Sequence, residues 1–242
     1  MTKHNYKIMV CISENSREKE LQYIDLLYSH RVLGIVVCSH IGETMEHLDS
    51  NCPLISFERE IAENIPAVLC DNYQGGILAA NRLFDAGCRN IAIFNPPTKE
   101  NIPAYSREKA FMKCCEDKKI SGRVVYTDRL APLSEEFGNN ILELLKKNSD
   151  LDGIFATSDV MAANIIRACK KMGKRVPEDI SIVGFDDTWI STLTYPSITT
   201  IHQPVQEMCE YAIEAIVKKV KGEKVPSQVV FPVELIDRES TK

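Results

Sequence analysis

The fold of this chain is decided by one stretch, SIVGFDDTWISTLTYPSITTIHQP, at residues 181–204. An apolar run from Ile180 to Phe185 predicts a buried parallel strand, and the run ends at two acids, Asp186 and Asp187. In an open α/β sheet, ligands lie just beyond the carboxyl ends of the strands, where a carboxylate can accept hydrogen bonds from the hydroxyls of a small polar ligand. The stretch therefore predicts an α/β fold with a ligand site at the end of this strand.

Strand-like and helical patterns alternate along nearly the whole chain, which predicts parallel sheets with right-handed crossovers. The predicted strands are residues 7–12, 33–38, 54–57, 67–69, 91–95, 124–126, 153–156, 180–185 and 228–233. The predicted helices are residues 19–29, 44–48, 71–86, 106–119, 134–147, 159–172 and 204–221. No Gly/Ser linker, low-complexity tract or internal repeat is present, so two lobes, if they exist, are joined by strand-like crossings.

The composition is that of an ordinary globular protein, with 242 residues, 44% hydrophobic residues and 26% charged residues. The formal net charge is −5, whereas a chain that binds DNA by itself normally carries a basic face. The basic stretches at residues 170–175 and 218–224 lie at predicted helix ends, where cations complement the helix dipole. We therefore expect no strong DNA binding by this chain alone.

The sequence also indicates the cellular compartment of the protein and the kinds of chemistry that we do not expect from it. The sequence contains no run of about 18 apolar residues, so it predicts no membrane span. The first residues, MTKHNY, lack the features of a secretory signal. Nine cysteines lie mostly among apolar residues and form no C-x-x-C pair, which indicates a reducing cytoplasm. Because the histidines at 4, 30, 40 and 47 have no metal-like spacing and no nucleotide or hydrolase motif occurs, we expect no metal, no cofactor and no enzyme activity.

Several stretches resemble the lactose-repressor/galactose-repressor (LacI/GalR) family of transcriptional regulators. The opening stretch is similar to the family's Val-Val-Gly-Phe-Asp-Asp…Pro-Pro-Leu-Thr-Thr-Ile-x-Gln-Pro, and further similarities lie at residues 31–36, 52–59, 71–91, 106–111 and 155–162. The chain departs from the family at Leu33 and Glu58, where an Asp is usual, and at Ala110, which replaces a Gly. The resemblance covers essentially every residue after about Tyr6.

The resemblance implies two doubly wound parallel-sheet lobes of the type I periplasmic-binding-protein fold, with the ligand between them. The N-terminal lobe would comprise residues 1–70 plus 203–225, and the C-terminal lobe residues 71–202 plus 226–242, with crossings near Cys70, His202 and Pro226. Met1 corresponds to the end of the family's first core helix. The helix-turn-helix and hinge are therefore expected to be absent and the N-terminal lobe incomplete; a fragment, a late gene start and a natural truncation all stay open.

The family motifs imply which residues bind the effector. Arg107, in a predicted first helical turn, offers a rigid fork of donors, and Asp186 is the acceptor that follows the decisive strand. Ser158 is equally a helix N-cap or a ligand contact. Asp187 is expected to have a structural role, as the cap of the turn that follows the strand.

The other implied ligand contacts have stronger competing roles. Phe57 and Glu58 stand in the motif at residues 52–59, and Glu58 is longer than the usual acid, which puts its ligand role in doubt. Trp189 could cover the apolar face of a sugar, but packing at a dimer seam is slightly preferred. His202 and Gln203 are expected to pair with backbone groups at a lobe crossing.

The resemblance predicts the effector-binding and dimerisation core of a repressor, with a sugar or sugar phosphate as effector. A homodimer would form through helix 159–172 and segment 189–195, and operator DNA would be a partner only through the absent N-terminal domain. The effector would then change the angle between the lobes. The alternative is a free-standing solute-binding protein of the same fold that serves transport or chemoreception.

Overall fold

The computed structural model describes residues 6–14, 16–38, 52–97 and 102–242, so the predicted helix at 44–48 lies outside the described residues. The helices are α1 (Arg17–Ser29), α2 (Asn72–Asp85), α3 (Tyr105–Lys118), α4 (Glu135–Lys147), α5 (Asp159–Lys171), α6 (Ile190–Leu193) and α7 (Val205–Val220). The strands are β1 (Ile35–Val37), β2 (Leu54–Phe57), β3 (Ala67–Cys70), β4 (Asn90–Asn95), β5 (Ser121–Tyr126), β6 (Gly153–Ala156), β7 (Ser181–Asp186), β8 (Thr199–His202), β9 (Gln228–Phe231) and β10 (Glu234–Ile236).

The chain divides into two compact units. The smaller unit comprises Met1–Cys70 with Pro204–Phe231, and the larger unit comprises Asp71–Gln203 with Pro232–Lys242. The alternation of strands and helices and the parallel pairing within both units confirm the predicted α/β fold. Among the described residues, no helix is both long and apolar enough to span a bilayer.

The smaller unit is built on a four-stranded parallel sheet in the order β1-β2-β3-β9. Helix α7 packs on β2 and β3, over a core that includes Ile55 and Val68. A Cβ atom at Gly34 would lie 2.6 Å from Cγ2 of Ile216, so only glycine allows α7 to approach the start of β1 this closely.

The larger unit is built on a six-stranded sheet in the order β10-β8-β7-β6-β4-β5, parallel except for β10. Helices α4 and α5 cover one face over Phe94, Ile154 and Ile182, while α2 and α3 lie on the other. On that second face the ring of Phe155 lies 5.8 Å from the ring of Phe111 and 6.3 Å from that of Phe185, centroid to centroid. Because the strands other than β10 run parallel, the loops that follow them lie at one edge of the sheet.

The structure corrects the last predicted strand and the third lobe crossing. Residues 228–233 do not form one strand of the larger unit: β9 pairs with β3 of the smaller unit, from Ala67↔Gln228 to Cys70↔Phe231. The chain crosses between Phe231 and Pro232, not near Pro226, and Pro232, which has no N–H for a strand ladder, directly follows the last paired residue of β9. Strand β10 then pairs antiparallel with β8 of the larger unit.

The predicted strand at residues 7–12 is also absent. These residues have no strand partner in the described part of the chain, and Ile8, Val10 and Ile12 are exposed. An alternating or apolar pattern produces a strand only where a neighbouring strand pairs with it.

Candidate functional site at the carboxyl edge of the larger sheet

Four strands of the larger unit end in or just before polar residues. Strand β4 ends at Asn95, β5 at Tyr126 and β7 at Asp186, and Thr157 follows directly after β6. The four strands are parallel neighbours, so these ends lie at the same edge of the sheet. The predicted Arg107, Ser158 and Asp186 all belong to the elements that meet at this edge.

Arg107 is held from three sides. It lies in the first turn of α3 and is only 7% exposed. Its Nε donates to Oδ1 of Asn72 at 2.6 Å, its Nη1 donates to the carbonyl oxygen of Thr157 at 3.2 Å, and its guanidinium lies 3.5 Å from the ring centroid of Phe185. Hydrogen bonds and a cation–π contact therefore fix this cation in position.

Asp186 occupies an unusual backbone conformation at the end of β7. Its φ is 103° and that of Asp187 is 54°, values that non-glycine residues seldom adopt outside functional or tightly packed turns. Nε2 of Gln203 donates to Oδ1 of Asp186 at 2.8 Å. Asp186 is therefore oriented by the side chain of Gln203, which corrects the expected backbone pairing of that glutamine.

Asp187 has a structural role, but through ion pairs with residues of other elements, since no side-chain hydrogen bond from a described residue caps α6. Nη2 of Arg238 donates to Oδ1 at 2.7 Å, while Nδ1 of His202 lies 3.0 Å from Oδ2. Partial burial alone would raise the pKa of the Asp187 carboxyl, but the hydrogen bonds and charges of Arg238 and His202 outweigh it and lower the pKa. His202 thus pairs with a carboxylate rather than with the expected backbone group.

Ser158 acts as the N-cap of α5. Its Oγ accepts a hydrogen bond from the backbone N–H of Met161 at 3.2 Å. A capping hydroxyl uses its oxygen as acceptor, and its O–H can still donate to a ligand. The capping role is present in the structure, and the ligand role stays a prediction.

Sequence reasoning missed a hydrogen-bonded chain centred on Glu108, which is 7% exposed. Its Oε2 accepts from Nδ2 of Asn95 at 3.2 Å, and its Oε1 accepts from the hydroxyl of Tyr126 at 3.0 Å. The hydroxyl of Thr157 donates to Oδ1 of Asn95 at 3.2 Å, which connects this chain to Arg107. The signal available in the sequence was that a polar residue ends or follows each of three apolar runs.

Burial raises the pKa of two ionisable groups near this edge of the sheet. Burial, followed by the hydrogen bond to Glu108, raises the pKa of the Tyr126 hydroxyl. Asp159 is fully buried and accepts from the backbone N–H of Thr188 at 2.6 Å and the hydroxyl of Thr200 at 2.6 Å. Burial raises the pKa of the Asp159 carboxyl in spite of these hydrogen bonds.

The remaining predicted site residues lie elsewhere in the two units. Phe57 ends β2 of the smaller unit, and the carboxylate of Glu58 accepts a hydrogen bond from the backbone N–H of Cys70, at the end of β3. Trp189 precedes α6 in the larger unit and is 71% exposed, so it is not a packing anchor within this chain. No cluster of three or more His, Cys, Asp or Glu side chains suited to a metal ion occurs in the described ranges.

Comparison with known proteins gives one consistent family. Residues 80–241 match the periplasmic binding protein-like domain. The chain is 31% identical to the ribose operon repressor of Halalkalibacterium halodurans over 99% of this chain and 71% of that protein, and 29% identical to the sucrose operon repressor of Streptococcus mutans over 98% and 72%. Among solved structures, a periplasmic binding protein/LacI transcriptional regulator from Alkaliphilus metalliredigens in complex with D-xylulofuranose superposes with a TM-score of 0.86, at 31% identity, over 100% of this chain and 90% of that one.

Proposed function

Since this chain belongs to the LacI family of periplasmic-binding-protein-like domains, we propose that it is the effector-binding and dimerisation core of a transcriptional repressor that responds to a sugar. The observation that carries this proposal is the fixed, buried Arg107 at the carboxyl edge where Asp186 also ends its strand. The similar repressors are named for ribose and sucrose operons, and the similar regulator structure holds D-xylulofuranose. These names support a sugar as the ligand class.

The geometry suits a polyhydroxyl ligand. Arg107 supplies hydrogen-bond donors, and Asp186 supplies an acceptor whose orientation is set by Gln203. Because both side chains are already held in place, little conformational entropy is lost when a ligand binds them. Ser158, Phe57, Glu58 and Trp189 stay proposed contacts of the same effector.

Isothermal titration calorimetry with D-ribose, D-xylulose and sucrose tests the proposal. We expect at least one of these sugars to bind, and Arg107→Ala and Asp186→Asn each to weaken that binding by more than about tenfold, because a site built for hydrogen bonds is penalised when a partner is lost. Arg175→Ala is the matched control, since Arg175 is an exposed arginine that pairs with Asp179. Both site variants binding as tightly as the parent would exclude this site.

Dimerisation is proposed from exposed apolar residues. Trp189, Leu193 and Tyr195 are 71%, 72% and 93% exposed within a segment of seven residues in the larger unit. Large apolar side chains concentrated on a surface usually mark an interface. We propose that this segment, together with α5, pairs with the same surface of a second copy.

The proposed compartment is the cytoplasm, where a transcriptional regulator meets DNA. None of the nine cysteines, all of which lie among the described residues, forms a disulfide, and the pKa of Cys115 is raised to about 12 by burial. A buried thiol with a raised pKa is inert towards disulfide exchange, which suits a protein that needs no disulfide for its fold.

A further inference from the structure

We propose that Glu108 makes the effector site selective for neutral sugars over phosphorylated or acidic ones. This inference rests on the proposed sugar-binding function and narrows its ligand class. It starts from the hydrogen-bonded chain Tyr126–Glu108–Asn95–Thr157–Arg107, which runs along the carboxyl ends of β5, β4 and β6. A ligand that binds Arg107 therefore contacts a residue that Thr157 and Asn95 connect to the buried carboxylate of Glu108.

Glu108 has only neutral hydrogen-bond partners in the described part of the chain. Its two oxygens accept from the amide of Asn95 and the hydroxyl of Tyr126, and no lysine, arginine or histidine nitrogen among the described residues lies within 4.0 Å of it. An ionised carboxylate in such surroundings has no direct ion-pair partner among the described residues, and burial leaves its negative charge weakly screened. That charge acts on whatever binds next to it.

Two nearby lysines do not cancel this charge. Lys109 and Lys113 line a groove of about 290 Å³ that Glu108 also borders, but both are exposed. The ammonium of Lys109 lies 5.6 Å from the ring centroid of Tyr105, and that of Lys113 lies 3.8 Å from Asp117. Water and salt screen exposed charges far more than buried ones, so these two lysines offset the charge of the buried Glu108 only weakly.

A sugar and its phosphate respond to this field in opposite ways. The hydroxyls of a neutral sugar can donate hydrogen bonds to Asp186, and a neutral sugar is not repelled by the negative charge of Glu108. A phosphate adds about −1.5 to −2 charges near pH 7 and has mainly acceptor oxygens, so two carboxylates repel it. Among the described residues, Arg107 is the cation that belongs to this hydrogen-bonded chain, and part of its donor set is directed at Asn72 and Thr157.

The test compares matched pairs by calorimetry on the full chain: D-ribose with D-ribose 5-phosphate, D-xylulose with D-xylulose 5-phosphate, and sucrose with sucrose 6-phosphate. We expect the parent to bind the neutral member at least about tenfold more tightly. Glu108→Gln removes the charge but keeps the size of the side chain and an oxygen acceptor. We expect this variant to reduce the ratio of the two affinities, neutral sugar over phosphorylated sugar, by about tenfold. Thermal melting checks that this variant is folded.

Glu116→Gln is the matched control, because Glu116 lies on the same helix, borders the same groove and is exposed. It should leave the ratio unchanged. Lys109→Ala should leave it unchanged as well, whereas a phosphate captured by the groove lysines would lose affinity in that variant and overturn the inference.

The experiment distinguishes a failure of this inference from a failure of the proposed sugar-binding function. Sugars that bind the parent with equal affinity in both forms, or a ratio unchanged by Glu108→Gln, would overturn the inference and leave the proposed function standing. If neither the neutral nor the phosphorylated member of any pair bound the parent, the proposed sugar-binding function would itself fail, and the inference with it.

Discussion

At the scale of single residues, three neighbouring aspartates have different roles. Asp186 is oriented by Gln203 at the ligand edge, Asp187 is ion-paired with Arg238, and Asp159 is fully buried among neutral donors. The carboxylates of Asp159 and Asp187 therefore respond to pH in opposite directions. Burial raises the pKa of Asp159, whereas its ionic partners lower that of Asp187.

This contrast predicts the pH dependence of two variants. Because the folded pKa of Asp159 lies above its ordinary value of 3.8, the stability that its protonated form contributes is present below that value and is lost as pH rises through the folded pKa. For Asp187 the contribution is present above 3.8 and is lost only as pH falls through its lowered pKa. As pH rises from about 4 through the folded pKa of Asp159, the free-energy cost of Asp159→Asn should shrink, whereas the ionisation of Asp187 itself adds no pH dependence to the cost of Asp187→Asn.

Urea unfolding of the parent and both variants at several pH values measures these costs. A cost of Asp159→Asn that grew with pH would mean that burial does not dominate the ionisation of this carboxyl.

At the scale of elements, the contact between α2 and α3 positions the site. A Cβ atom at Gly76, in α2, would lie 2.3 Å from the carbonyl oxygen of Arg107 and 2.9 Å from Cβ of Ala110, both in α3. Only glycine therefore lets the two helices approach closely enough for Nε of Arg107 to reach Asn72 on α2. The ligand donor and the helix packing depend on the same small residue.

Gly76→Ala should therefore harm both stability and binding. We expect a loss of about 1–3 kcal/mol in the free energy of unfolding, because the backbone of α3 must move, and weaker sugar binding because Arg107 moves with it. Gly138→Ala in α4 is the matched control, since its added Cβ would lie 3.5 Å from the nearest atom, Oδ1 of Asn164.

The control should gain about 0.5–1 kcal/mol through helix propensity, with unchanged binding. Denaturant unfolding and calorimetry on both variants check the two parts of this prediction. Equal stability of the two variants would show that the α2–α3 contact tolerates a larger residue.

At the scale of the whole molecule, surface composition predicts association. The segment 189–195 exposes Trp189, Leu193 and Tyr195, and burying such side chains contributes about 25 cal/mol per Å² of apolar surface. A monomer would leave this surface in water. A symmetric pair would cover it with a second copy of itself.

Sedimentation velocity at micromolar concentration should give twice the monomer mass of 27.3 kDa. The double variant Leu193→Lys with Tyr195→Asp should shift the protein to the monomer. Val220→Lys, at an exposed apolar position that ends α7 in the smaller unit, should not change the mass. A parent that sediments only as a monomer would argue against the proposed dimer.

Local chemistry made much of the fold predictable. Asp71 caps α2 by accepting from the backbone N–H of Gln74 at 2.8 Å, and Gly87 follows the end of α2 with a φ of 87°. Ser158 caps α5 in the same way. Such interactions join residues two to four positions apart, so the sequence contains them completely, and the apolar run at residues 180–185 likewise appears as β7.

The pairing of strands and side chains that lie far apart in the chain could not be predicted from the sequence. Whether residues 228–231 join β3 or β8 depends on strands more than 25 residues away, and the apolar pattern is the same for both. The pairing of His202 and Gln203 with Asp187 and Asp186 follows from the register of β7 and β8, where Asp186 stands opposite His202.

The burial of Glu108 and its hydrogen-bond partners likewise could not be predicted from the sequence. In sequence it is one acid in a mixed helix, and only the packing of α3 against the ends of β4 and β5 buries it beside Asn95 and Tyr126. The sequence by itself determined the types of most elements, the caps and the family motifs, because these depend on near neighbours and on periodicity, but its pattern predicted a strand at residues 7–12 that is absent from the described structure and missed α6, β8 and β10. The tertiary structure decided strand partners, burial and hence charge at the site, because these depend on which distant residues exclude water from one another.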